Sequence, residues 1–210
     1  LKIQNCGLPQ QFKTQNSKLK IQNCGLPQQF KTQNSKLKIQ NCGLPQQFKT
    51  QNSKFKIQIM ISDKAYIAPG ANIGKNVTIY PFAYIEDGVE IGDDCIIFPY
   101  VSIMRGTKMG RGNKVYQNTV LGAEPQDFNY TGADTRLVIG DENIFRENVV
   151  VNRAAFADGE TRIGNRNFFM EGVHISHDTK VDDYVTFGYG TKVAGDCEIH
   201  SAAIFSSGVI

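Results

Sequence analysis

A count of six runs through the chain from Ile67 to Phe205. Every sixth residue from Ile67 gives 24 positions, and 21 of them are Ile, Leu, Val, Met or Phe. Those five residue types make up 45 of the 151 residues after position 59, so chance would fill only about seven of the positions. The exceptions are Asp127, Ala133 and Ala157. A helical period of 3.6 drifts out of this phase within two turns, and the two-residue alternation of an ordinary strand does not single out every third pair. A six-residue repeat is the mark of a parallel β-helix. Each hexad makes one short side, three hexads close one coil, and residue i stacks under residue i+18. The predicted fold is therefore all-β: a left-handed parallel β-helix of roughly seven coils, with the apolar anchors pointing into a three-sided column.

A second, smaller residue recurs four places after the anchor, as at Ala71, Val77, Ala83, Val89, Cys95 and Val101, and later at Val173, Thr179, Val185, Thr191 and Cys197. It is expected to face inward near a corner, where bulk does not fit. Cys95 and Cys197 both fall in this register, which reads them as small core residues rather than metal ligands or redox groups. They are too few to staple a fold, so a reducing, cytoplasmic compartment is expected. No apolar run approaches the length of a membrane span.

Two stretches break the count. Ala123 to Leu137, rich in Asp, Asn, Gly and Pro, and the shorter Ala154 to Arg162 are expected to leave the column as loops, where function concentrates on a rigid scaffold. Gln126, Asp127, Tyr130 and Arg136 lie in the first, placed for substrate or subunit contact. The last residues, Phe205 to Ile210, remain in register. The β-helix is therefore expected to be incomplete at the C-terminus, and full activity is expected of a longer protein.

Residues 1–59 differ in character. LKIQNCGLPQQFKTQNSK occurs three times without change, and Phe55 opens a fourth copy. This part holds ten Lys and no acidic residue, whereas residues 60–210 hold 13 basic and 20 acidic residues, a net of −7. The imbalance excludes a uniformly basic nucleic-acid-binding chain. The stretch has little to bury and is expected to be disordered. Its phase positions Leu1, Gly7 and Lys13 cannot line an apolar column. Identical copies without end caps, and Met60 at the change of character, read as upstream sequence preceding a start at Met60. The expected division is thus 1–59 and 60–210.

The chain has three histidines. His174 and His177 lie in EGVHISHD, and His200 follows an anchor. His177 beside Asp178 is a candidate general base, since a carboxylate orients the imidazole and raises its basicity. His174 and His177 with a histidine of a neighbouring subunit could instead bind zinc, as in a γ-type carbonic anhydrase. Plain surface histidine is the third reading. Asp196 lies three hexads after Asp178, so the two carboxylates are expected to share a column.

Taken in order, the hexads, the loop QDFNYTGADTRLVIGDENIFREN with its Arg146-Glu147 pair, and EGVHISHD resemble the UDP-N-acetylglucosamine O-acyltransferase family of lipid A synthesis. The resemblance implies a homotrimer with active sites between subunits. It implies transfer of an R-3-hydroxyacyl chain from acyl carrier protein to the sugar 3-hydroxyl of UDP-N-acetylglucosamine, with no metal and no bound cofactor beyond the donor's phosphopantetheine. His177 matches the family's catalytic base and Asp178 its partner. His174 matches a second cleft histidine, and Gln126 and Asp127 match loop residues that reach substrate across the subunit boundary. Asp196 stands where a further cleft histidine is expected. Gly172-Val173, Asn129 and the run Asn152-Arg153-Ala154-Ala155 depart from the family pattern. Lys108, Arg111 and Lys114 are a possible steering cluster for the acidic carrier protein, against the plainer reading of a solvated face. Other sugar acyltransferases using acyl-CoA, and a scaffold without activity, are the remaining alternatives.

Overall fold

A computed structural model describes residues 61–210 throughout and, within 1–60, only the backbone of seven strands. The chain divides into two compact units, Leu1–Ile61 and Ser62–Ile210.

The second unit is a left-handed parallel β-helix, as the hexads predict. Three seven-stranded parallel sheets form its sides. One begins at Tyr66–Ile67, the next at Asn72–Ile73 and the third at Thr78–Ile79, so successive strands along the chain pass from side to side. In the regular coils the register advances by three hexads: Tyr66 pairs with Tyr84 and Ile79 with Ile97. Around the first loop Lys114 pairs with Ile144, five hexads on, and around the second Val150 pairs with His174, four hexads on. The first loop therefore inserts two hexads and the second inserts one. Because both insertions are whole hexads, the phase survives them. The three exceptions to it, Asp127, Ala133 and Ala157, all fall inside the insertions.

Both excursions are shorter than expected. Ala123 ends a strand, Val120–Ala123, and Arg136 opens another, Arg136–Ile139. Glu160–Ile163 likewise returns the second loop to its sheet, and Ala154 and Ala155 are buried rather than extruded. These residues carry backbone groups that pair coil to coil, and that pairing outweighs the polar composition that suggested a loop.

The anchors fill the column. Phe145, Phe169 and Phe187 are fully buried and stack with ring centroids 4.7 and 4.9 Å apart. Cys95 is buried and Cys197 half-buried, both free and both in the inner register. Burial pushes the Cys95 thiol above its ordinary pKa. A buried polar ladder was not foreseen: the side-chain carbonyl of Asn113 accepts the Asn143 amide at 2.8 Å, and that of Asn143 accepts the Asn167 amide at 2.8 Å. Asn at this corner satisfies backbone groups that an apolar residue would leave unpaired.

Corners of the column put many non-glycine residues at positive φ, among them Asp178 (57°) and Asp196 (57°). Asp and Asn tolerate this region better than most residues because their short polar side chains bond locally.

The first unit is described by the backbone of its strands alone. Seven strands, from Lys2–Gln4 to Lys54–Gln58, form a four-stranded and a three-stranded parallel sheet. Lys2 pairs with Lys20 and Gln11 with Gln29, so each copy lies against the next. Identical copies place identical backbone segments in register, and such ladders form without an apolar core. The proposed start at Met60 lies outside the described residues.

Candidate active site

His177 and Asp178 occupy the corner that follows the strand His174–Ile175. The imidazole Nδ1 lies 2.8 Å from Asp178 Oδ2, and both side chains are largely buried. The same carboxylate oxygen accepts the Ala155 amide at 3.0 Å, and the Asp178 amide donates to Thr161 Oγ1 at 2.9 Å. The second loop therefore grips Asp178 by backbone and side chain. A carboxylate accepts only, so Nδ1 is the donor in this contact, and Nε2 is the nitrogen left open to a substrate.

That Nε2 faces the first loop. Asp127 Oδ2 lies 3.8 Å from it, too long for a direct hydrogen bond and close enough for strong attraction once the ring is protonated. Asp127 is itself fixed: Oδ1 accepts the Asn129 amide at 2.7 Å, and its carbonyl accepts the Tyr130 amide at 3.1 Å. The resemblance placed Asp127 at a subunit boundary. The structure brings it against the His177 of its own chain. Gln126, the neighbouring candidate, is exposed beside it.

The floor under the imidazole is Gly195, one coil after His177. A Cβ added there would stand 2.7 Å from Cε1 and 2.9 Å from Nε2 of the ring. The coil-stacking rule contains this contact, and applying it to His177 would have found Gly195 in the sequence.

His174 points outward from the same sheet, half-buried, with Nε2 2.8 Å from the side-chain oxygen of Asn152. Asn152 is fully buried, and its amide nitrogen donates to the Glu124 carbonyl at 2.5 Å, which orients its oxygen toward His174. Burial, with a smaller contribution from the Lys192 charge, lowers the His174 pKa, so this ring is a neutral donor at neutral pH. Asp196 stacks on the site through its backbone, its amide donating to the His177 carbonyl at 3.0 Å. Its side chain is exposed, while that of Asp178 turns to His177 and Ala155; the expected column is one of backbone, not of paired carboxylates. His200 stands apart, exposed, 3.2 Å from Asp182. Among the described residues no three His, Cys, Asp or Glu side chains come together as a metal-ligand set.

Tyr130, half-buried, and Arg136, exposed, both tie down the loops. The Tyr130 hydroxyl accepts from Arg153 Nη2 at 2.9 Å, and Arg136 Nη2 donates to the Asp158 carbonyl at 3.0 Å, joining the two excursions. Of the suggested basic cluster, Lys108 is paired with Glu90 at 2.7 Å and Arg111 with Asp141 at 3.3 Å. Arg146 and Glu147 form a two-point pair at 2.9 and 3.1 Å. An open cleft of about 660 Å³, lined in part by Tyr84, Arg105, Glu124 and Arg153, lies along the same face, and neither His174 nor His177 lines it.

The model of the family described as "Bacterial transferase hexapeptide (six repeats)" matches residues 70–97. The acyl-[acyl-carrier-protein]–UDP-N-acetylglucosamine O-acyltransferase of Gloeothece citriformis is 38% identical over 99 residues, 47% of this chain and 36% of the relative. Its counterpart from Psychromonas ingrahamii is 51% identical over 72 residues, 34% of this chain and 28% of the relative. The crystal structure of the Bacteroides fragilis UDP-N-acetylglucosamine acyltransferase is 45% identical, with a TM-score of 0.68, over 69% of this chain and 57% of that one.

This chain is similar to the hexapeptide-repeat acyltransferases of the UDP-N-acetylglucosamine O-acyltransferase type.

The solved structure from Acinetobacter baumannii has the same TM-score, 0.68, at 34% identity, over 69% of this chain and 57% of that one. The chain thus spans about a third of the length of these curated relatives and 57% of these solved acyltransferases. The His177-Asp178 corner has the geometry of an oriented imidazole with one open nitrogen. Among the described residues no helix is long and apolar enough to cross a membrane.

Proposed function

We propose that the protein transfers an R-3-hydroxyacyl chain from acyl carrier protein to the 3-hydroxyl of UDP-N-acetylglucosamine, the first step of lipid A synthesis, with His177 as general base. The observation that carries this reading is the geometry at His177: Nδ1 lies 2.8 Å from Asp178, and Nε2 is turned to Asp127 at 3.8 Å. A sugar hydroxyl is a poor nucleophile and a thioester is already activated, so a base at the hydroxyl is the main element the reaction lacks.

The hydroxyl docks between Nε2 and Asp127. Nε2 takes its proton as the oxygen attacks the thioester carbonyl. The imidazolium is stabilised by Asp178 on one side and Asp127 on the other. When the tetrahedral intermediate collapses, the C–S bond breaks, and the imidazolium returns its proton to the departing thiolate. His174, neutral and tied to Asn152, is placed as a hydrogen-bonding group for the acceptor. Gln126 and Asp196, exposed on either side of the corner, are placed for substrate contact. The working assembly in this reading is a cytoplasmic homotrimer that completes each cleft with a neighbouring chain.

The reading is tested by incubating the full-length protein with UDP-N-acetylglucosamine and either carrier-bound or CoA-bound 3-hydroxyacyl donors. A 3-O-acylated sugar nucleotide from the carrier-bound donor is expected. Product only from the CoA donor would move the protein to another sugar acyltransferase class, and no product from either would end the proposal.

A further inference from the structure

Arg153 is the most buried charged side chain of the described unit, 2% exposed, and it has no part in the proton transfers above. Its guanidinium donates to the Gly122 carbonyl at 2.9 Å through Nη1, and to Glu124 Oε1 at 3.0 Å and the Tyr130 hydroxyl at 2.9 Å through Nη2. Its Cζ lies 5.7 Å from the centre of the Tyr130 ring. The Tyr130 hydroxyl donates onward to the Ala133 carbonyl at 3.1 Å. One planar fork thus ties the point where the first loop leaves its strand to the middle of that loop, a task a lysine ammonium cannot match in geometry.

Asp127 lies between those tethers, three residues after Glu124 and three before Tyr130, and its carbonyl accepts the Tyr130 amide. Burying a guanidinium is costly unless its donors are used, and every partner here belongs to this loop or the strand end it leaves. We propose that Arg153 is a positioning residue: through Tyr130 it sets the distance between Asp127 and Nε2 of His177. The inference rests on the functional reading above for its kinetic consequence, but the clamp itself is independent of turnover.

Three variants of the full-length protein test it: Arg153→Met, Arg153→Lys and Tyr130→Phe, each alone and with Asp127→Asn. Arg153→Met is expected to lower kcat by about tenfold to a hundredfold with KM for the acyl donor unchanged, since a misplacement of about 1 Å near the reacting atoms has that effect. Arg153→Lys is expected to recover only part of the loss. In the Asp127→Asn background the same changes are expected to cost almost nothing further, because the group they position is already gone. Amide hydrogen exchange over residues 124–133 is expected to speed up in Arg153→Met while the coils stay protected. If Arg153→Met does not fold, Arg153→Lys and Tyr130→Phe decide by the same readouts. An unchanged kcat, full additivity with Asp127→Asn, or unchanged exchange over 124–133 would overturn the inference. If the wild-type protein shows no turnover, the functional reading fails, and the exchange comparison still decides the clamp.

Discussion

The imidazole of His177 lies directly over Gly195, one coil further along the chain, with room between them for a hydrogen and not for a methyl group. The β-helix thus supplies the imidazole with a flat backing as a by-product of its stacking.

Gly195→Ala is predicted to push the ring out of line. The φ of Gly195 is not in the left-handed region, so the backbone tolerates alanine, and the conflict is confined to the Cβ at 2.7 Å from Cε1. Turnover is expected to fall about a hundredfold, while the thermal midpoint stays near that of the wild type. Steady-state kinetics alongside a melting curve check this pair of outcomes.

Asp178→Asn separates orientation from backbone geometry. Asn tolerates the positive φ of this corner. Its amide oxygen can take over both contacts of Asp178 Oδ2, but it brings no charge to hold an imidazolium, and the flipped amide donates to Nδ1 and selects the wrong tautomer. A loss of about 10²- to 10⁴-fold in kcat is expected with the fold retained. Activity close to wild type would show that the Nδ1 contact is incidental.

His174 predicts a pH effect on stability. Its folded pKa is lowered, chiefly by burial, so the unfolded chain binds the proton more readily. The contribution is present above the ordinary histidine value near 6.5 and is lost as the pH falls from there through the folded pKa. Denaturant midpoints from pH 7.5 downward are expected to drop more steeply for wild type than for His174→Gln.

Phe169→Ala tests the column itself. The ring stacks 4.7 Å from Phe145 and 4.9 Å from Phe187, fully buried. Its removal is expected to cost about 3–5 kcal/mol in an unfolding experiment. A much smaller loss would argue against a packed interior at this coil.

The sides of the column were legible in the sequence because a parallel β-helix writes its register into every sixth residue, and Ile67, Phe145 and Phe205 answer to the same count. The His177-Asp178 pair was legible because the two residues are adjacent. The sequence did not reveal contacts that cross insertions. Asn152 meets His174 across 22 residues and Arg153 meets Tyr130 across 23, and neither spacing is a multiple of the coil. Loop ends at Ala123 and Glu160 were misplaced because polar residues there still pair their backbones with neighbouring coils.

The most direct test of the account is the turnover of His177→Ala in the full-length protein, measured with carrier-bound acyl donor and UDP-N-acetylglucosamine beside the oligomeric state. The account predicts loss of nearly all acyl transfer with the assembly intact. Transfer at the wild-type rate would contradict it.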